Sequence, residues 1–502
     1  MKVYNTLTRR KEDFVSLRPG AVGFYICGPT VYNDIHIGNA RTFLSFDVIR
    51  RYLEYRGYEV TYVQNITDVD DKIINRANEE GRDSSEVAEQ YTEAFIAVMD
   101  ALGVKEPSVR PRATAEIASM IELIEGLIQS GNAYEVEGDV YFSVRSFPSY
   151  GALSGRNVDD LKSGARVDVD ERKRDPLDFA LWKAAKPGEP SWPSPWGLGR
   201  PGWHIECSAM SKRYLGTAFD IHAGGDDLVF PHHENELAQS ACSSKDGFAS
   251  YWLHGGMLTI DKEKMSKSEG NFLLLKDVLE HVRPEALRLL MLQTHYRSPF
   301  DYSPERLEEA TASLERIESA LRNSNWALAQ HAGAGEHAKA TASLAPSSSV
   351  ADARKRFEAY MDDDFNTAGA VAVVFELVSE ANRLLAEYSQ KSETFSESFA
   401  DLEVIAQTVV ELLMVLGVKL EIGADCTELV ATDALPALLS LAAELAHYSG
   451  SKAAEALDAL LSAREEARVN KDWTRADAVR DGLAKLGLKI EDTPHGSRII
   501  HA

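Results

Sequence analysis

Two short stretches of this chain combine residue types that suit the binding of nucleotide phosphates. The first is the His-Ile-Gly-Asn stretch at 36–39, which follows an apolar run of strand length at 22–26 and opens a helical apolar pattern. The N-terminus of such a helix presents N–H groups and the positive end of the helix dipole to a phosphate. Gly38 has no Cβ and lets a ligand approach the backbone, while His36 and Asn39 can donate hydrogen bonds to phosphate oxygens. The stretch therefore predicts a strand–turn–helix unit that binds a nucleotide.

The second stretch is Lys-Met-Ser-Lys-Ser at 264–268, in a loop after the apolar run 252–260. Lys264 and Lys267 lie between glycines, which suits a mobile lid that brings ammonium groups to a leaving pyrophosphate. Taken alone, the first stretch also fits a capped core helix beside an incidental histidine, and the second fits a solvated basic loop. Their occurrence together, each beside a predicted strand, favours a nucleotide site.

The cysteines are few and contain no Cys-x-x-Cys pair; they lie at 27, 207, 242 and 426. Cys27 ends the strand that leads into the first stretch, and Cys207 lies ahead of a short helix-like stretch. Few, unpaired thiols fit a reducing compartment, so we expect a cytoplasmic protein.

A histidine- and carboxylate-rich run, Pro-His-His-Glu-Asn-Glu at 231–236, is predicted to open a helix with proline near its first position. His232 and Glu236 are four residues apart and would project from one helical face. Together with the thiols at 27 and 207 they make a reasonable tetrahedral zinc set. The spacing leaves open that these are ordinary core residues, or that His233 or Glu234 replaces either partner.

Composition limits the class of protein that must position these residues. At 502 residues, of which 44% are hydrophobic, the chain can form about three domains with ample core. No apolar run reaches the roughly 18 residues of a membrane span, and the first residues lack a signal-peptide pattern. The net charge of −24 argues only superficially against a nucleic-acid partner, because the acid is concentrated at 351–460, with 20 acidic and 7 basic residues. Residues 461–502 hold 8 basic and 7 acidic residues.

The pattern of elements predicts an α/β fold with a Rossmann-like nucleotide-binding core. The core occupies 1–300 and carries a Pro- and Trp-rich insertion at about 112–200. An all-α helical stem or bundle follows at 301–460, with an Ala/Gly/Ser-rich linker at about 325–350. A small segment at 461–502 completes the chain.

This last segment contains a predicted helix–turn–helix at 464–485, with Trp473 at the turn among lysines and arginines. An exposed tryptophan in such a setting suits stacking on an unpaired RNA base. On spacing alone, Trp473 could equally pack between the two helices.

Longer motifs extend these stretches along the chain: Thr30-Val-Tyr, Asn65-Ile-Thr-Asp-Val-Asp-Asp-Lys72, Tyr150-Gly-Ala-Leu-Ser, Pro201-Gly-Trp-His-Ile-Glu-Cys-Ser-Ala-Met210, the 231–236 run and Met361-Asp-Asp-Asp-Phe-Asn-Thr367. With the stretches at 36–39 and 264–268, they resemble class I aminoacyl-tRNA synthetases, and specifically the cysteinyl-tRNA synthetase family. The similarity runs from about residue 1 to the C-terminus. The family most often has a second histidine where this chain has Asn39, which keeps a donor but loses the imidazole.

The resemblance implies a role for each matching residue. One zinc ion per chain is bound by Cys27, Cys207, His232 and Glu236, and it binds the substrate's thiolate. The amino-acid pocket includes Cys27, Trp203 and His222. ATP, with Mg²⁺, is bound by Thr30, His36, Gly38, Asn39 and Lys267, and the catalytic residues are His36, Asn39, Lys264 and Lys267. The anticodon is contacted by Arg468, Trp473, Asp477 and Asp492.

The function implied is ATP-dependent activation of L-cysteine to cysteinyl-adenylate, followed by transfer to tRNA(Cys), by a monomer that needs no membrane. A borderline-soft metal separates cysteine from serine without an editing site, because it binds a thiolate far better than a hydroxyl. Two alternatives remain at this point. One is a ligase that joins cysteine to an amino-sugar, which the long C-terminal region disfavours. The other is a non-catalytic paralogue that binds cysteine or tRNA, which the intact signatures disfavour.

Overall fold

The computed structural model describes residues 1–157, 172–245, 247–260, 263–264, 273–332, 348–390, 396–422, 434–493 and 496–501. The strands are, in chain order, β1 (Lys2–Asn5), β2 (Arg10–Asp13), β3 (Ala21–Ile26), β4 (Glu59–Gln64), β5 (Ala133–Val136), β6 (Asp139–Phe142), β7 (Phe179–Ala184), β8 (Trp192–Ser194), β9 (Gly197–Pro201), β10 (Phe219–Gly225), β11 (Ala249–Gly255), β12 (Leu258–Ile260), β13 (Glu263–Lys264), β14 (Phe300–Tyr302), β15 (Leu488–Thr493) and β16 (Gly496–His501).

The helices are, in chain order, α1 (Ile37–Tyr55), α2 (Asp71–Glu80), α3 (Ser84–Ala101), α4 (Ile117–Gln129), α5 (Trp203–Leu215), α6 (Glu234–Ser243), α7 (Leu275–Leu279), α8 (Pro284–Leu292), α9 (Pro304–Ala332), α10 (Ser348–Asp362), α11 (Thr367–Gln390), α12 (Ser396–Val415), α13 (Leu435–Ala446), α14 (Ala453–Val469) and α15 (Trp473–Ala484). None of the helices in the described ranges is long and apolar enough to cross a membrane.

A parallel four-stranded sheet in the order β11–β10–β3–β4 forms the centre of the N-terminal part. After its first residue, β3 is buried throughout, as expected of a parallel strand covered on both faces. Ile26 pairs with Ala223 of β10 and with Gln64 of β4, so the carboxyl ends of these strands meet at one edge. The α/β class is confirmed. The strand predicted at 22–26 is β3, and the helix predicted from 39 is α1.

The region of the predicted insertion forms a folded module. Helix α4 precedes an antiparallel sheet in the order β5–β6–β7–β9–β8. Fully buried Phe142 and Trp182 of this sheet share a core with Met120 of α4 and Ile205 of α5. The core therefore joins the module to the helix that carries Cys207.

The described chain divides into two compact units that interleave along the sequence. The first comprises 1–314, 352–374 and 411–419, and the second comprises 315–351, 375–410 and 420–502. This differs from the predicted boundaries at 300 and 460, because long-range bonds hold two later segments in the first unit. Arg288, for example, donates to the carbonyl of Leu416 at 2.9 Å. Such pairing leaves no local sequence pattern.

Helical structure extends into both ends of the segment predicted as a linker at about 325–350. Helix α9 continues to Ala332, and α10 begins at Ser348; residues 333–347 lie outside the described ranges. The alanine content that suggested a linker also favours helix, since alanine is the strongest helix former. Ser324 and Ala327 are fully buried and continue the inward face of α9.

The C-terminal module begins before the predicted residue 461. Helices α13, α14 and α15 and the β15–β16 hairpin pack around one core that includes Leu438, Leu460, Val479 and Ile499. The predicted helix–turn–helix is confirmed as α14 and α15, with Lys471 in the left-handed region at the turn (φ 59°). The apolar face of α13 had been attributed to the preceding bundle because its pattern alone does not reveal its partner.

Candidate active site and metal centre

The candidate site lies at the carboxyl edge of the central sheet, where open parallel sheets bind ligands. Cys27 follows β3 directly, and its N–H donates to the carbonyl of Ala223 at 3.2 Å. Cys207 lies within α5 and not ahead of it as expected, because the helix already begins after Pro201-Gly202. A turn at Val229–His233 leads from β10 into α6, so α6 begins at Glu234 and His232 lies in the turn.

The four residues predicted as metal ligands meet at this edge. The Sγ of Cys27 lies 3.6 Å from the Sγ of Cys207 and 3.4 Å from Oε1 of Glu236. The same Glu236 oxygen lies 3.0 Å from Nε2 of His232, so these two side chains do share a face. One ligand atom from each residue lies within 4.8 Å of all the others, and all four residues are buried. Two sulfurs, one imidazole nitrogen and one carboxylate oxygen form a donor set suited to zinc.

The charges of this cluster are set by burial and by mutual contact. Burial alone would raise the pKa of Glu236, but the imidazoles of His222 and His232 outweigh it and hold that pKa well below its usual range. Burial would lower the pKa of His232, yet Glu236 and Cys207 raise it to about 10. Burial would raise the pKa of Cys207, whereas a hydrogen bond from Cys27 and the nearby His232 bring it to about 6. Burial, together with Cys207, raises the pKa of Cys27 well above its usual value. The cluster thus pairs a carboxylate and a thiolate with one imidazolium, and a divalent cation could replace the imidazolium proton and the Cys27 proton.

His233, which the sequence left open as a ligand, lies beside the same cluster. Its Nε2 is 3.3 Å from the Sγ of Cys27, and with His222, Cys27 and Glu236 it forms a second group of closely spaced donors. The ring fits because residue 224 is glycine: a Cβ on Gly224 would lie 2.7 Å from Cε1 of His233. His233 is therefore close enough to be a ligand, but in a group in which His222 and His233 stand in place of Cys207 and His232.

Glu234, the other alternative, is engaged elsewhere. Its two carboxylate oxygens accept hydrogen bonds from the backbone N–H groups of Gly151 and Ser154, at 2.8 and 2.7 Å. Glu234 is therefore no ligand of this cluster.

The residues predicted for the amino-acid pocket surround the cluster. The indole of Trp203 stacks on the imidazole of His232, with ring centroids 4.3 Å apart. His222 stacks on Trp252 at 4.5 Å, and its Nε2 lies 2.9 Å from Oε2 of Glu236. With Cys27 in the cluster itself, the structure brings Cys27, Trp203 and His222 together.

Further polar residues around the cluster were not predicted. Nδ1 of His204 lies 3.0 Å from Nδ1 of His232. Nε2 of His254 lies 2.7 Å from Nδ1 of His233, and the hydroxyl of Thr6 lies 2.7 Å from Nδ1 of His254. A signal for His254 existed: it lies within the predicted run 252–260, and strand pairing sets it opposite Gly224 at the end of β10, at the same sheet edge. Contact with Thr6 depends on chain segments far apart in sequence, which no local pattern reveals.

The stretch at 36–39 forms the start of α1. Nδ1 of His36 accepts the N–H groups of Gly38 and Asn39, and Oδ1 of Asn39 accepts the N–H of His36. Burial lowers the pKa of His36, with the charge of Asp227 opposing it. Because Nδ1 is an acceptor, the imidazole proton is on Nε2, and the side-chain amide of Asn39 keeps its donor. The N–H groups of Gly38 and Asn39, which the sequence analysis had assigned to phosphate, are thus bonded to His36. The side chains of His36 and Asn39 are then the expected donors to phosphate.

The second signature lies partly outside the described residues. Lys264 ends strand β13, whose backbone pairs with β12, while Lys267 is not described. The chain resumes at Leu273, whose carbonyl accepts the N–H of Ile37 at 3.1 Å, and Leu275 donates to Ile35 at 3.0 Å. The described residues that follow Lys267 in the chain, from 273 onward, therefore lie against the His36 turn. Thr30 pairs with Thr67 at the carboxyl ends of β3 and β4.

The residues predicted to contact an anticodon lie in the C-terminal module. Trp473 is 59% exposed at the start of α15, which favours a stacking surface over packing between helices. Arg468 lies 3.1 Å from Asp492, which is also bonded by Arg464. Asp477 pairs with an arginine one turn along α15. The structure brings Arg468 and Asp492 into contact. Val469 at the end of α14 is also exposed, at 77%, and was not singled out from the sequence.

Comparison with known proteins identifies the family. Residues 13–312 match the model of the class I (C) tRNA synthetase catalytic domain, 356–421 the DALR domain, and 451–498 the cysteinyl-tRNA ligase anticodon binding domain. The cysteine–tRNA ligases of Heliobacterium modesticaldum and Trichlorobacter lovleyi are 49% and 50% identical to this chain, each over 99% of both chains. The chain belongs to the cysteine–tRNA ligase family. Methionyl-tRNA synthetase of Mycobacterium tuberculosis, solved in complex with methionyl-adenylate, shares the fold with a TM-score of 0.59 at 15% identity, covering 79% of this chain and 91% of that one.

The family, fold class and enzyme class predicted from the sequence are confirmed: the chain is an ATP-dependent ligase with a class I synthetase catalytic domain. The match of residues 451–498 to an anticodon binding domain, with relatives of the same full length, disfavours the amino-sugar ligase. The match of residues 13–312 to the catalytic domain, with full-length ligase relatives, disfavours a non-catalytic paralogue.

Proposed function

We propose that this chain activates L-cysteine with ATP at the carboxyl edge of its central sheet, releases pyrophosphate, and passes cysteine from the adenylate to tRNA(Cys). The observation that carries the proposal is the buried cluster of Cys27, Cys207, His232 and Glu236, with ligand atoms within 4.8 Å of one another. These four residues would hold one zinc ion. A bound Zn²⁺ supplies a borderline-soft centre that favours a thiolate over a hydroxyl and lowers the pKa of a thiol.

The chemistry of the donors fits this ion. Two thiols and a carboxylate bring enough negative charge for a divalent cation, and Glu236 already carries its charge in the buried site. Ligating imidazoles usually have a second partner on the other ring nitrogen, and Nδ1 of His232 has one in His204 at 3.0 Å. The overlapping group with His222 and His233 contains only one sulfur, so the group with two thiols is the better zinc site.

Substrate selection follows from the residues that line the cluster. Cysteine and serine differ by one atom, and pocket shape separates such a pair poorly. Trp203 and His222 lie against two sides of the cluster and fix where a side chain of this length can end. Selection by sulfur chemistry then requires no second, editing site.

On the nucleotide side, Nε2–H of His36 and the amide of Asn39 donate to the phosphates of ATP, which binds with Mg²⁺ beside Gly38 and Thr30. The N-terminus of α1 adds its dipole. Lys264 and Lys267 bring positive charge to the pyrophosphate as it leaves, where it is worth more in the transition state than in the ground state. Support comes from the backbone pairing of residues 273 and 275 with 37 and 35, by which the chain a few residues after Lys267 lies beside the His36 turn.

The C-terminal module reads the anticodon through Arg468, Trp473, Asp477 and Asp492. An exposed indole on a module with its own core is suited to base stacking. The protein acts as a monomer in the cytoplasm.

Zinc analysis and cysteine-dependent pyrophosphate exchange test the proposal. The purified protein should contain about one zinc per chain, and Cys207→Ser should lower both zinc content and cysteine activation. Cys242→Ser is the matched control: it also removes a thiol near the first unit's core but lies outside the donor group, and it should be near neutral. Metal-free protein that activates cysteine at the full rate, or retains its preference for cysteine over serine, would overturn the metal assignment. Charging assays with tRNA and with amino-sugar acceptors decide the acceptor.

A further inference from the structure

A tight turn of the insertion is fastened to the start of α6 by two buried side chains. The carboxylate of Glu234 accepts the N–H groups of Gly151 and Ser154, at 2.8 and 2.7 Å. The neighbouring Asn235 accepts the hydroxyl hydrogen of Tyr150 through Oδ1. Glu234 and Asn235 are 0% and 2% exposed, so their hydrogen bonds form away from bulk water. A buried carboxylate that lost such partners would be costly, and the turn is therefore held firmly.

The backbone of the turn has little freedom of its own. Gly151 has φ of +97°, and a Cβ there would lie 2.0 Å from the carbonyl oxygen of Arg156. The N–H of Gly155 closes the turn onto the carbonyl of Gly151 at 2.8 Å. Burial and the charge of Glu234 raise the pKa of Tyr150, so its hydroxyl remains a donor. The turn from Tyr150 to Gly155 is therefore a fixed structure.

This turn contributes one apolar side chain to the packed cluster that includes both thiols. Leu153 is 1% exposed and belongs to the same packed cluster as Cys27, Cys207 and Trp252. Sequence alone gave no role to the Tyr-Gly-Ala-Leu-Ser motif beyond resemblance. The cluster surrounds the two thiols with apolar side chains, and Leu153 is one of them.

We propose that Leu153 is a specificity-determining residue for the amino-acid substrate, and that Glu234 is a positioning residue that holds it in place. This inference rests on the proposed function, since it concerns the pocket for cysteine's side chain. A leucine wall keeps water from the thiols and offers a hydroxyl no hydrogen-bond partner. Sulfur tolerates such surroundings better than a hydroxyl does, so the wall adds to the preference for cysteine over serine. Glu234 lies between His232 and Glu236 in sequence, so one short segment sets both the wall and two of the proposed ligands.

The test compares four variants of the full-length protein: Leu153→Ala, the volume-conserving Leu153→Met, Glu234→Gln, and Leu198→Ala as the control. Leu198 is also an apolar residue of the insertion but is 61% exposed, so its truncation should change nothing. We would measure zinc content and thermal unfolding for each variant. Pyrophosphate exchange with cysteine and with serine gives KM and kcat for each substrate. Binding of cysteine to the Co²⁺-substituted protein is followed by its sulfur-to-cobalt absorption. The absorption reports cysteine binding without turnover.

Leu153→Ala should retain its zinc while the cysteine-to-serine ratio of kcat/KM falls by about 10-fold or more, the effect of a lost methylene contact in a selective pocket. The change should appear in KM and in cysteine binding to the cobalt protein, with kcat nearly unchanged, and Leu153→Met should restore most of the ratio. Glu234→Gln presents an amide N–H₂ to one of the two backbone donors, so it should reproduce a smaller loss of selectivity.

A purely structural role would lower the unfolding temperature of these variants but leave the cysteine-to-serine ratio intact, and that result overturns the proposal. Should Leu153→Ala fail to fold, Leu153→Val makes the same comparison with a smaller truncation. The proposed function fails separately, if the wild-type protein needs no metal to prefer cysteine. If the wild-type protein does need its metal to prefer cysteine, but the Leu153 and Glu234 variants keep the wild-type cysteine-to-serine ratio of kcat/KM, only the present inference is refuted.

Discussion

Cutting the chain at residue 350 should unfold the catalytic unit, although a flexible linker predicted at 325–350 would make this a natural place to cut. Residues 352–374 belong to the first compact unit. Asp364 of this segment is fully buried and accepts the N–H of Tyr4 at 2.8 Å, the hydroxyl of Tyr296 at 3.0 Å and Nε of Arg297 at 2.7 Å. The cut removes this acceptor and leaves three donors without it.

The loss in free energy of unfolding can be estimated from the contacts of the same segment. Of the three donors the Tyr296 hydroxyl is buried, and a buried donor left unsatisfied costs about 1–3 kcal/mol. Phe357, Met361 and Phe365 are fully buried, and each contributes about 1.5–3 kcal/mol of burial. Together with the bond from Arg288 to Leu416, the loss is on the order of 10 kcal/mol, comparable to the 5–15 kcal/mol that stabilises a typical domain.

The matched control is a chain that ends at residue 422, which keeps all of the first unit and removes the C-terminal module with its own core. The longer fragment should show cooperative unfolding and cysteine-dependent pyrophosphate exchange but lose most tRNA charging. The fragment ending at 350 should be insoluble or should unfold without a cooperative transition, by circular dichroism and calorimetry. A soluble, active fragment ending at 350 would refute the reasoning from Asp364 and Leu416.

Three further predictions concern single residues. Lys267→Ala should raise the barrier to adenylate formation by about 2–4 kcal/mol, seen as a lower kcat in pyrophosphate exchange with a smaller change in KM for ATP. A normal kcat with only a raised KM would contradict the role of this lysine. Trp473→Ala should weaken tRNA charging by about 1–3 kcal/mol in kcat/KM and leave pyrophosphate exchange unchanged, and equal charging would exclude base stacking. Asp47→Asn should cost about 3–5 kcal/mol of unfolding free energy at pH 7, because it breaks the buried pair with Arg288. Burial would raise the pKa of Asp47 but Arg288 outweighs it and lowers that pKa, so the stabilisation is present above an unfolded pKa of about 4 and is lost as pH falls through the lower folded value. Denaturant titrations should therefore show a difference from wild type that shrinks below about pH 4, and a constant difference would exclude this charge pair as its cause.

The parts of the site that the sequence predicted share one property: their signals are local. The strand before Cys27 and the helix after His36 follow from apolar spacing and from glycine and proline positions. The family motifs then implied which cysteines, histidines and carboxylates meet, and Cys27, Cys207, His232 and Glu236 do lie together. Local patterns and matching motifs therefore sufficed for the centre of the site.

The parts that the sequence did not predict depend on contacts between distant segments. Thr6 and His254 are in contact although they are 248 residues apart in sequence. Asp364, which follows α10, accepts a hydrogen bond from the backbone of Tyr4 in β1. The apolar face of α13 packs on α14 and α15, so this helix belongs to the core of the C-terminal module. Periodicity indicates only that a face is buried and not which helices cover it, so the sequence analysis assigned α13 to the preceding bundle. The contacts of Asp364 likewise carry no local signal in the sequence.

The run at 231–236 illustrates why substitutions in this site should not be additive. His232, His233, Glu234, Asn235 and Glu236 are consecutive, polar and at most 2% exposed, so each must have buried partners to be tolerated. Their partners differ: His232, His233 and Glu236 face the thiols, His233 also contacts a neighbouring histidine, and Glu234 and Asn235 hold the insertion's turn. A change at any of them shifts the backbone that positions the others, and coupling energies of about 0.5–3 kcal/mol are typical of such neighbours. Metal content, selectivity and the position of the turn are therefore properties of this segment as a whole. The free-energy losses of single substitutions in the segment should sum to more than the loss in a variant that combines them.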